Sequence, residues 1–175
     1  MSDKVITTSR TFWRTLSMHT DIAAIYRQFS DPDMCVYYDE PPCTLAEAQD
    51  IITHYTTHAE SAGYRRYGVC HATSGEFIGT CGYHFLNRNE GSVEIGYDVW
   101  KEFWQQGYAS EMLTPLLQIC FAVTEVTLVY AVIDPRNRAS IAVVRRAGFV
   151  QIPPVPRIVG TQLAVYGLYR RQFIQ

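Results

Sequence analysis

A chain of 175 residues with 47% apolar and 18% charged side chains has the make-up of a soluble globular protein and the length of one domain, 1–175. Its formal net charge of -2 gives no global positive field, which argues against direct binding of nucleic acid or of an acidic membrane surface. An anionic ligand would have to be held by local amides and a few arginines. No apolar run approaches the ~20 residues of a membrane helix, and the polar stretch Met1 to Arg10 lacks a signal core. The five cysteines (Cys35, Cys43, Cys70, Cys81 and Cys120) are odd in number and show neither C-x-x-C nor His/Cys metal spacing. They are read as reduced thiols of a cytoplasmic protein, and no metal is expected.

In chain order, Val5 to Leu16 is extended, with Phe12 and Trp13 as strand formers. Thr20 caps a helix carrying Ile22, Ile25 and Phe29, and Asp31-Pro32-Asp33 turns the chain. Met34 to Pro42 is an aromatic-rich loop. Thr44-Leu45-Ala46-Glu47 is a capping box that opens a helix to about Ala62, which Gly63 ends. Strands Tyr64 to His71 and Phe77 to Phe85 are joined by Thr73 to Glu76, and a turn at Asn87 to Gly91 leads to a further strand. Val126 to Ile133 is a β-branched buried strand, and Asp134-Pro135-Arg136-Asn137 starts a helix to about Ala147, stopped by Gly148. Strands at Phe149 to Ile152 and Leu163 to Arg170 flank the proline-rich loop from Pro153. The order βααβββαβαββ implies an α+β fold with a mixed sheet.

The stretch Val93 to Met112 carries the chemistry. Val93, Ile95, Tyr97 and Val99 alternate with Glu94, Gly96 and Asp98, so this is a strand. A loop from Trp100 to Gln106 precedes Gly107, Tyr108, Ala109 and Ser110. Met112, Leu113, Leu116, Leu117, Cys120 and Phe121 then recur at helical spacing, and Pro115 inside that helix predicts a local bend. The first N–H groups of a helix are unpaired and carry partial positive charge, so a glycine and small residues there make a candidate phosphate cradle. A glycine turn before an amphipathic helix is common without any ligand. The spacing is neither G-x-G-x-x-G nor a P-loop.

Three blocks together carry a resemblance: Phe77-Ile78-Gly79-Thr80; Glu94-Ile95-Gly96-Tyr97 leading through Trp104-Gln105-Gln106-Gly107-Tyr108-Ala109-Ser110-Glu111; and Asn137-Arg138-Ala139-Ser140 with Ala147-Gly148-Phe149. In register over nearly the whole chain, they resemble the GNAT superfamily of acyl-CoA-dependent N-acetyltransferases. The nearest branch is that of the ribosomal-protein N-terminal acetyltransferases and their small-molecule-modifying relatives. The resemblance implies a twisted, mostly antiparallel sheet whose two parallel central strands, Val93–Val99 and Val126–Ile133, splay apart around acetyl-CoA as cosubstrate. It further implies that the backbone of Val99 pairs with the pantetheine arm and that the amides of Gln105, Gln106, Gly107, Tyr108, Ala109 and Ser110 hold the diphosphate. Asn137 would bond the arm, and Ser140 would lie near the sulfur. Arg145 and Arg146 would reach the outer phosphate or simply form a solvated helix face. The chain departs from the family at Trp104, where Gln or Arg is usual outside the ribosomal-type branch. It also departs at Val144, where many members place a tyrosine acid.

Transfer of an acetyl group from a thioester to an amine needs a neutral amine, a donor for the developing oxyanion and positioning, which alone can supply ~7–11 kcal/mol. The leaving thiolate can also take a proton. The peptide N–H near Val99 is the candidate oxyanion donor. Glu94, acting through water, is the candidate base, with a structural carboxylate as its alternative; Asp98 on the same strand face is the reserve. His71 and His84 are read as structural, Tyr108 as packing over the loop, and Ser140 as the remaining acid. The acceptor pocket is expected between the first two helices, the Met34–Pro42 loop and the Pro153–Thr161 loop, with Trp13, Tyr37, Tyr38 and Arg157 as candidate lining. The acceptor is an amine, either a protein N-terminus or a small molecule, and relatives often form homodimers. Two other classes stand beside the enzyme: a non-catalytic acyl-CoA sensor, which the missing tyrosine permits, and a Rossmann-like nucleotide domain. The hairpins and the absent acidic ribose ligand argue against the latter.

Overall fold

The computed structural model describes residues 4–38, 41–57 and 63–173. Eight strands form one sheet: β1 (Lys4–Thr7), β2 (Thr11–Thr15), β3 (Arg65–His71), β4 (Phe77–Asn87), β5 (Ser92–Val99), β6 (Leu128–Ile133), β7 (Val150–Ile152) and β8 (Ala164–Tyr169). Their order is β1-β2-β3-β4-β5-β6-β8-β7, and among the described residues only β5 and β6 run parallel. The helices are α1 (Met18–Ser30), α2 (Pro32–Cys35), α3 (Leu45–Thr57), α4 (Tyr108–Ala122), α5 (Arg138–Arg146) and α6 (Arg170–Phe173). The class is the expected α+β fold with a mixed, mostly antiparallel sheet.

Strand alternation divides β5 between two layers. Val93, Ile95 and Val99 join Met112, Leu113, Leu116 and Leu117 of α4 in the larger core. A second core holds Ile25 of α1, Ala48 and Ile52 of α3, and Cys70 and Phe77 of the sheet. Glu94, Gly96 and Asp98 therefore face away from α4, directly opposite His84, Gly82 and Thr80 of β4. The β5–β6 ladder pairs only Ser92 with Leu128, Val93 with Val129 and Glu94 with Tyr130. Beyond Glu94 the strands part, while β6 continues to Ile133 against β8. The expected splay is thus present, and it begins at the candidate base.

Local chemistry moved several boundaries. The first extended stretch is a hairpin, β1 on β2, because Thr8 and Thr11 close a turn: the Thr11 N–H donates to Thr8 Oγ1 at 3.0 Å, and the Thr8 N–H to the Thr11 carbonyl at 2.8 Å. α1 starts three residues earlier than the Thr20 cap predicts. The Ser17 hydroxyl accepts from the His19 N–H at 3.3 Å, and Asp21 accepts from the Ser17 N–H at 2.8 Å, a reciprocal cap. Asp31-Pro32-Asp33 opens the one-turn α2, with Asp31 accepting from the Asp33 N–H at 2.9 Å and proline in the first turn. The Thr44–Glu47 capping box forms as expected. The expected end of α3 at Ala62 lies outside the described residues. β4 runs past Phe85 to Asn87 through an irregular pairing between His84 and Asn87.

Candidate active site

The loop into α4 is shaped by backbone conformation. Gln105 has φ 60° and Gly107, the residue before the helix, φ 82°. For a residue other than glycine the first of these is costly, and such strain gathers at functional turns. A side chain at Gly107 would meet only the tip of Arg10, 3.6 Å away, so the space in front of the helix is open. The first helical bond runs from the Glu111 N–H to the Gly107 carbonyl at 3.1 Å, which places the N–H groups of Tyr108, Ala109 and Ser110 ahead of it. The loop from Gln105 to Ser110 thus ends in an open helix start, the place where the sequence puts its candidate cradle. Tyr108 is buried in the core, edge-on to Phe103, so its own part there is through the backbone.

One residue of this cradle has no signal in the sequence. Arg10, from the turn before β2, donates to the Gln106 carbonyl at 2.9 Å and to Glu111 at 2.6 Å, and its guanidinium lies 4.4 Å from the Tyr108 ring centroid. Burial alone would raise the Glu111 pKa, but hydrogen bonds from Thr8 and from the Arg10 N–H and guanidinium hold it below the ordinary value. Glu111 thus remains anionic near the helix start, and Arg10 offsets its repulsion of a second anion. Trp104 ties the loop back to the splay, its indole N–H donating to the Val99 carbonyl at 2.6 Å. That carbonyl already has one partner, so Trp104 fixes the orientation of the Val99 peptide.

Across the splay, Asn137 caps α5. Its side-chain oxygen accepts from the Ser140 N–H at 3.0 Å, leaving the NH2 group as the donor it can offer. The Ser140 hydroxyl lies 2.9 Å from the Tyr97 hydroxyl. Burial pushes the Tyr97 phenol up to about 12, although the Ser140 contact pulls the other way, so it stays protonated. Tyr97 is a polar group that the sequence analysis missed: it stands inside the Glu94-Ile95-Gly96-Tyr97 block, but its partner is 43 residues away. Val144, where a tyrosine acid is common, is fully buried in the core, and Arg145 and Arg146 are exposed.

The opposite face of β5 is a layer of charge. Glu94 is 7% exposed; it is ion-paired with Arg157 and lies 3.3 Å from His84 Nε2. Burial, with Arg66 and then Arg157 adding to it, brings the His84 pKa down to about 3, so the ring is neutral near pH 7. Asp98, the reserve base, is committed elsewhere: it binds the buried Arg66 guanidinium and accepts from Tyr38. Arg66 also donates to Thr80, which takes a further hydrogen bond from Gln28 at 3.1 Å. A side chain on Gly96 would come within 2.8 Å of Arg66 and 3.0 Å of His84, so glycine lets both lie flat over β5. His71 sits apart, accepting from the Ser74 N–H in the β3–β4 turn. Of the expected acceptor-pocket residues, Arg157, the ion-pair partner of Glu94, does line a cavity of about 1020 Å³. Trp13 does not: it is fully buried against Tyr67. Tyr38 is turned to Asp98, and Tyr37 is partly exposed near it in the chain.

A parted parallel strand pair, a helix start opened by a left-handed glycine and a carboxylate at the parting are the features that the resemblance to acyl-CoA-dependent transferases implies. The family model of the acetyltransferase (GNAT) domain matches residues 10–150, and the chain belongs to that family. It is an acetyltransferase. It is 28% identical over 130 residues to the uncharacterized N-acetyltransferase p20 of Bacillus licheniformis, covering 74% of this chain and 73% of that one. In fold it is similar to a spermidine N-acetyltransferase from Vibrio cholerae solved with CoA and spermine (TM-score 0.78, 19% identity, 96% of this chain and 100% of that one). It is also similar to the ribosomal L7/L12 α-N-protein acetyltransferase RimL solved with coenzyme A (TM-score 0.81, 15% identity, 97% and 99%).

Proposed function

We propose that the protein transfers the acetyl group of acetyl-CoA to a primary amine by direct attack while both substrates are bound. The observation that carries this reading is the parting of β5 from β6 immediately after Glu94. It leaves the edge of β5 from Ile95 to Val99 without a β6 partner, with the Gly107 helix start beyond its end. The unpaired edge suits an amide-bearing pantetheine arm, and the helix start with Arg10 suits a diphosphate. The neighbours' coenzyme A complexes support the same assignment.

In this reading Glu94 accepts, through water, the proton that converts the acceptor ammonium into the attacking amine. The C–N bond forms as the C–S bond breaks, and the Val99 peptide N–H faces the developing oxyanion. The second proton lost by the nitrogen balances the one gained by the departing thiolate. Ser140 passes its hydroxyl proton to the sulfur and takes up the second proton of the nitrogen, with Tyr97 holding the hydroxyl in place. Asn137 orients the arm through its NH2 group. The protein operates as one domain.

The test is release of free thiol from acetyl-CoA with a panel of small amines and N-terminal peptides, alongside calorimetric binding of acetyl-CoA, NAD and ATP. Turnover with at least one amine and selective binding of acetyl-CoA are expected. Tight binding with no turnover would make the protein a sensor. Preference for NAD or ATP would remove the coenzyme assignment.

A further inference from the structure

Resting on the acetyltransferase reading, the charge around Glu94 names the class of acceptor. Among the described residues the cavity is lined by Arg65, Arg88, Arg157 and Glu90, and Arg157 connects it to Glu94. Arg88 is paired with Glu125 at 3.0 Å on the surface, where such a pair exchanges readily. Arg157 is different. It joins the side-chain oxygen of a carboxylate that is nearly out of reach of water, and its guanidinium lies 4.3 Å from the Phe85 ring centroid. Phe85 is 56% exposed and has φ 53°, at the irregular step in the β4–β5 ladder. A bulky residue in the left-handed region, held at the rim of a cavity, marks a place where the backbone serves the site.

An acceptor ammonium drawn to Glu94, directly or across a water, competes with the Arg157 guanidinium for that carboxylate. That exchange leaves the Arg157 guanidinium without its carboxylate. A polyamine brings no carboxylate to replace the one Arg157 gives up. An amine that carries its own carboxylate restores both pairs, Glu94 with the ammonium and Arg157 with the carboxylate, and the planar guanidinium suits a carboxylate in two-point contact. We propose that the acceptor is a small zwitterionic amine of the amino-acid class. Arg157 is its carboxylate clamp, and Phe85 supports the guanidinium from below after it leaves Glu94.

The test compares phenylalanine with phenethylamine and leucine with isopentylamine, pairs that differ only in the carboxylate, together with spermidine and the peptides Ala-Glu-amide and Ala-Gln-amide. The carboxylate-bearing partner is expected to have a kcat/KM at least about tenfold higher, the scale of one charged hydrogen bond. Arg157→Gln should erase the difference mainly through KM. Calorimetric titration of the CoA-saturated protein with phenylalanine and phenethylamine provides a reading that needs no turnover. Equal use or equal binding of the two members of a pair, or a preference for spermidine, overturns the zwitterion assignment while leaving the transferase reading in place. A carboxylate effect seen only between the two peptides also overturns it. Absence of acetyl transfer to every amine sinks the transferase reading instead, and the titration still decides the clamp.

Discussion

The two sides of β5 are built by different means. On the α4 side the working groups are backbone: Gln105 to Ser110 are contiguous, and φ angles of 60° and 82° at Gln105 and Gly107 aim the helix start. On the far side the working groups are side chains from four places in the chain, with Arg66 from β3, His84 from β4, Glu94 from β5 and Arg157 from the loop before β8. A site made of peptide groups is broken by filling its space or reversing its field. A site made of paired charges is broken by removing one partner, because the other is then left uncompensated.

The cradle should therefore be the more fragile to one kind of change. Gly107→Asp puts a carboxylate at a left-handed position, facing the proposed diphosphate site. Affinity for acetyl-CoA in a calorimetric titration should fall by more than about 100-fold, through charge repulsion added to strain. Gly107→Ala separates the two causes. The space beyond the α-carbon is open, so only the φ penalty of about 1 kcal/mol remains. Nearly native coenzyme affinity with a slightly lowered melting temperature is expected. Unchanged affinity in the aspartate variant would take the diphosphate away from this loop.

On the face of β5 that carries Glu94, Glu94→Gln keeps the shape and removes the proposed base. kcat near neutral pH should fall about 100-fold, the scale of one general base, while acetyl-CoA affinity stays within about twofold. A stopped assay with saturating acceptor checks this. A fully active variant would clear Glu94, and because Asp98 is already bound to Arg66 and Tyr38, the base would then have to be solvent or the substrate itself.

This contrast also explains what could be read in advance. The helix start behind Gly107 was legible because its residues are neighbours in the chain and a glycine before an amphipathic helix has a geometric meaning. The splay was legible only through the resemblance, since nothing in Val93–Val99 or Val126–Ile133 announces where pairing stops. Glu94 could be named from strand alternation, but its partners could not. His84 was read as structural, and Arg66 was not singled out, although both touch the charge layer. Arg10 and Glu111 are 101 residues apart and meet only because β2 passes the start of α4. Trp13 shows the converse error: an aromatic residue near the expected pocket proved to be core. The hairpin at Thr8–Thr11 and the earlier cap at Ser17 were missed because side-chain hydrogen bonds to nearby backbone decide such boundaries, and extended or helical periodicity overlooks them.

A smaller effect is expected where the two sides meet. Tyr97 lies on the α4 face of β5 but serves Ser140 across the splay. Tyr97→Phe should lower kcat about three- to tenfold with little change in KM, and Ser140→Ala by a similar amount. The double variant should be no worse than the more damaging single one, since the two hydroxyls act as one unit at 2.9 Å. Additive losses would separate them and leave Tyr97 a packing residue.

The smallest change is in stability, and it belongs to the acceptor side alone. His84 has a folded pKa of about 3 against 6.5 for the free side chain, because it is buried and faces Arg66 and Arg157. As pH falls below 6.5, the unfolded chain binds a proton that the folded chain refuses. Stability is therefore whole above pH 6.5 and is lost progressively toward pH 3. Between pH 7 and pH 5, above the range of ordinary carboxylates, this one group should cost about 2 kcal/mol. Urea unfolding at the two values measures it. His84→Gln, which cannot titrate, should flatten that slope, whereas Gly107→Ala on the other side should lower stability equally at both pH values. A slope that survives in the glutamine variant would mean that the acid sensitivity arises outside the layer of charge over β5.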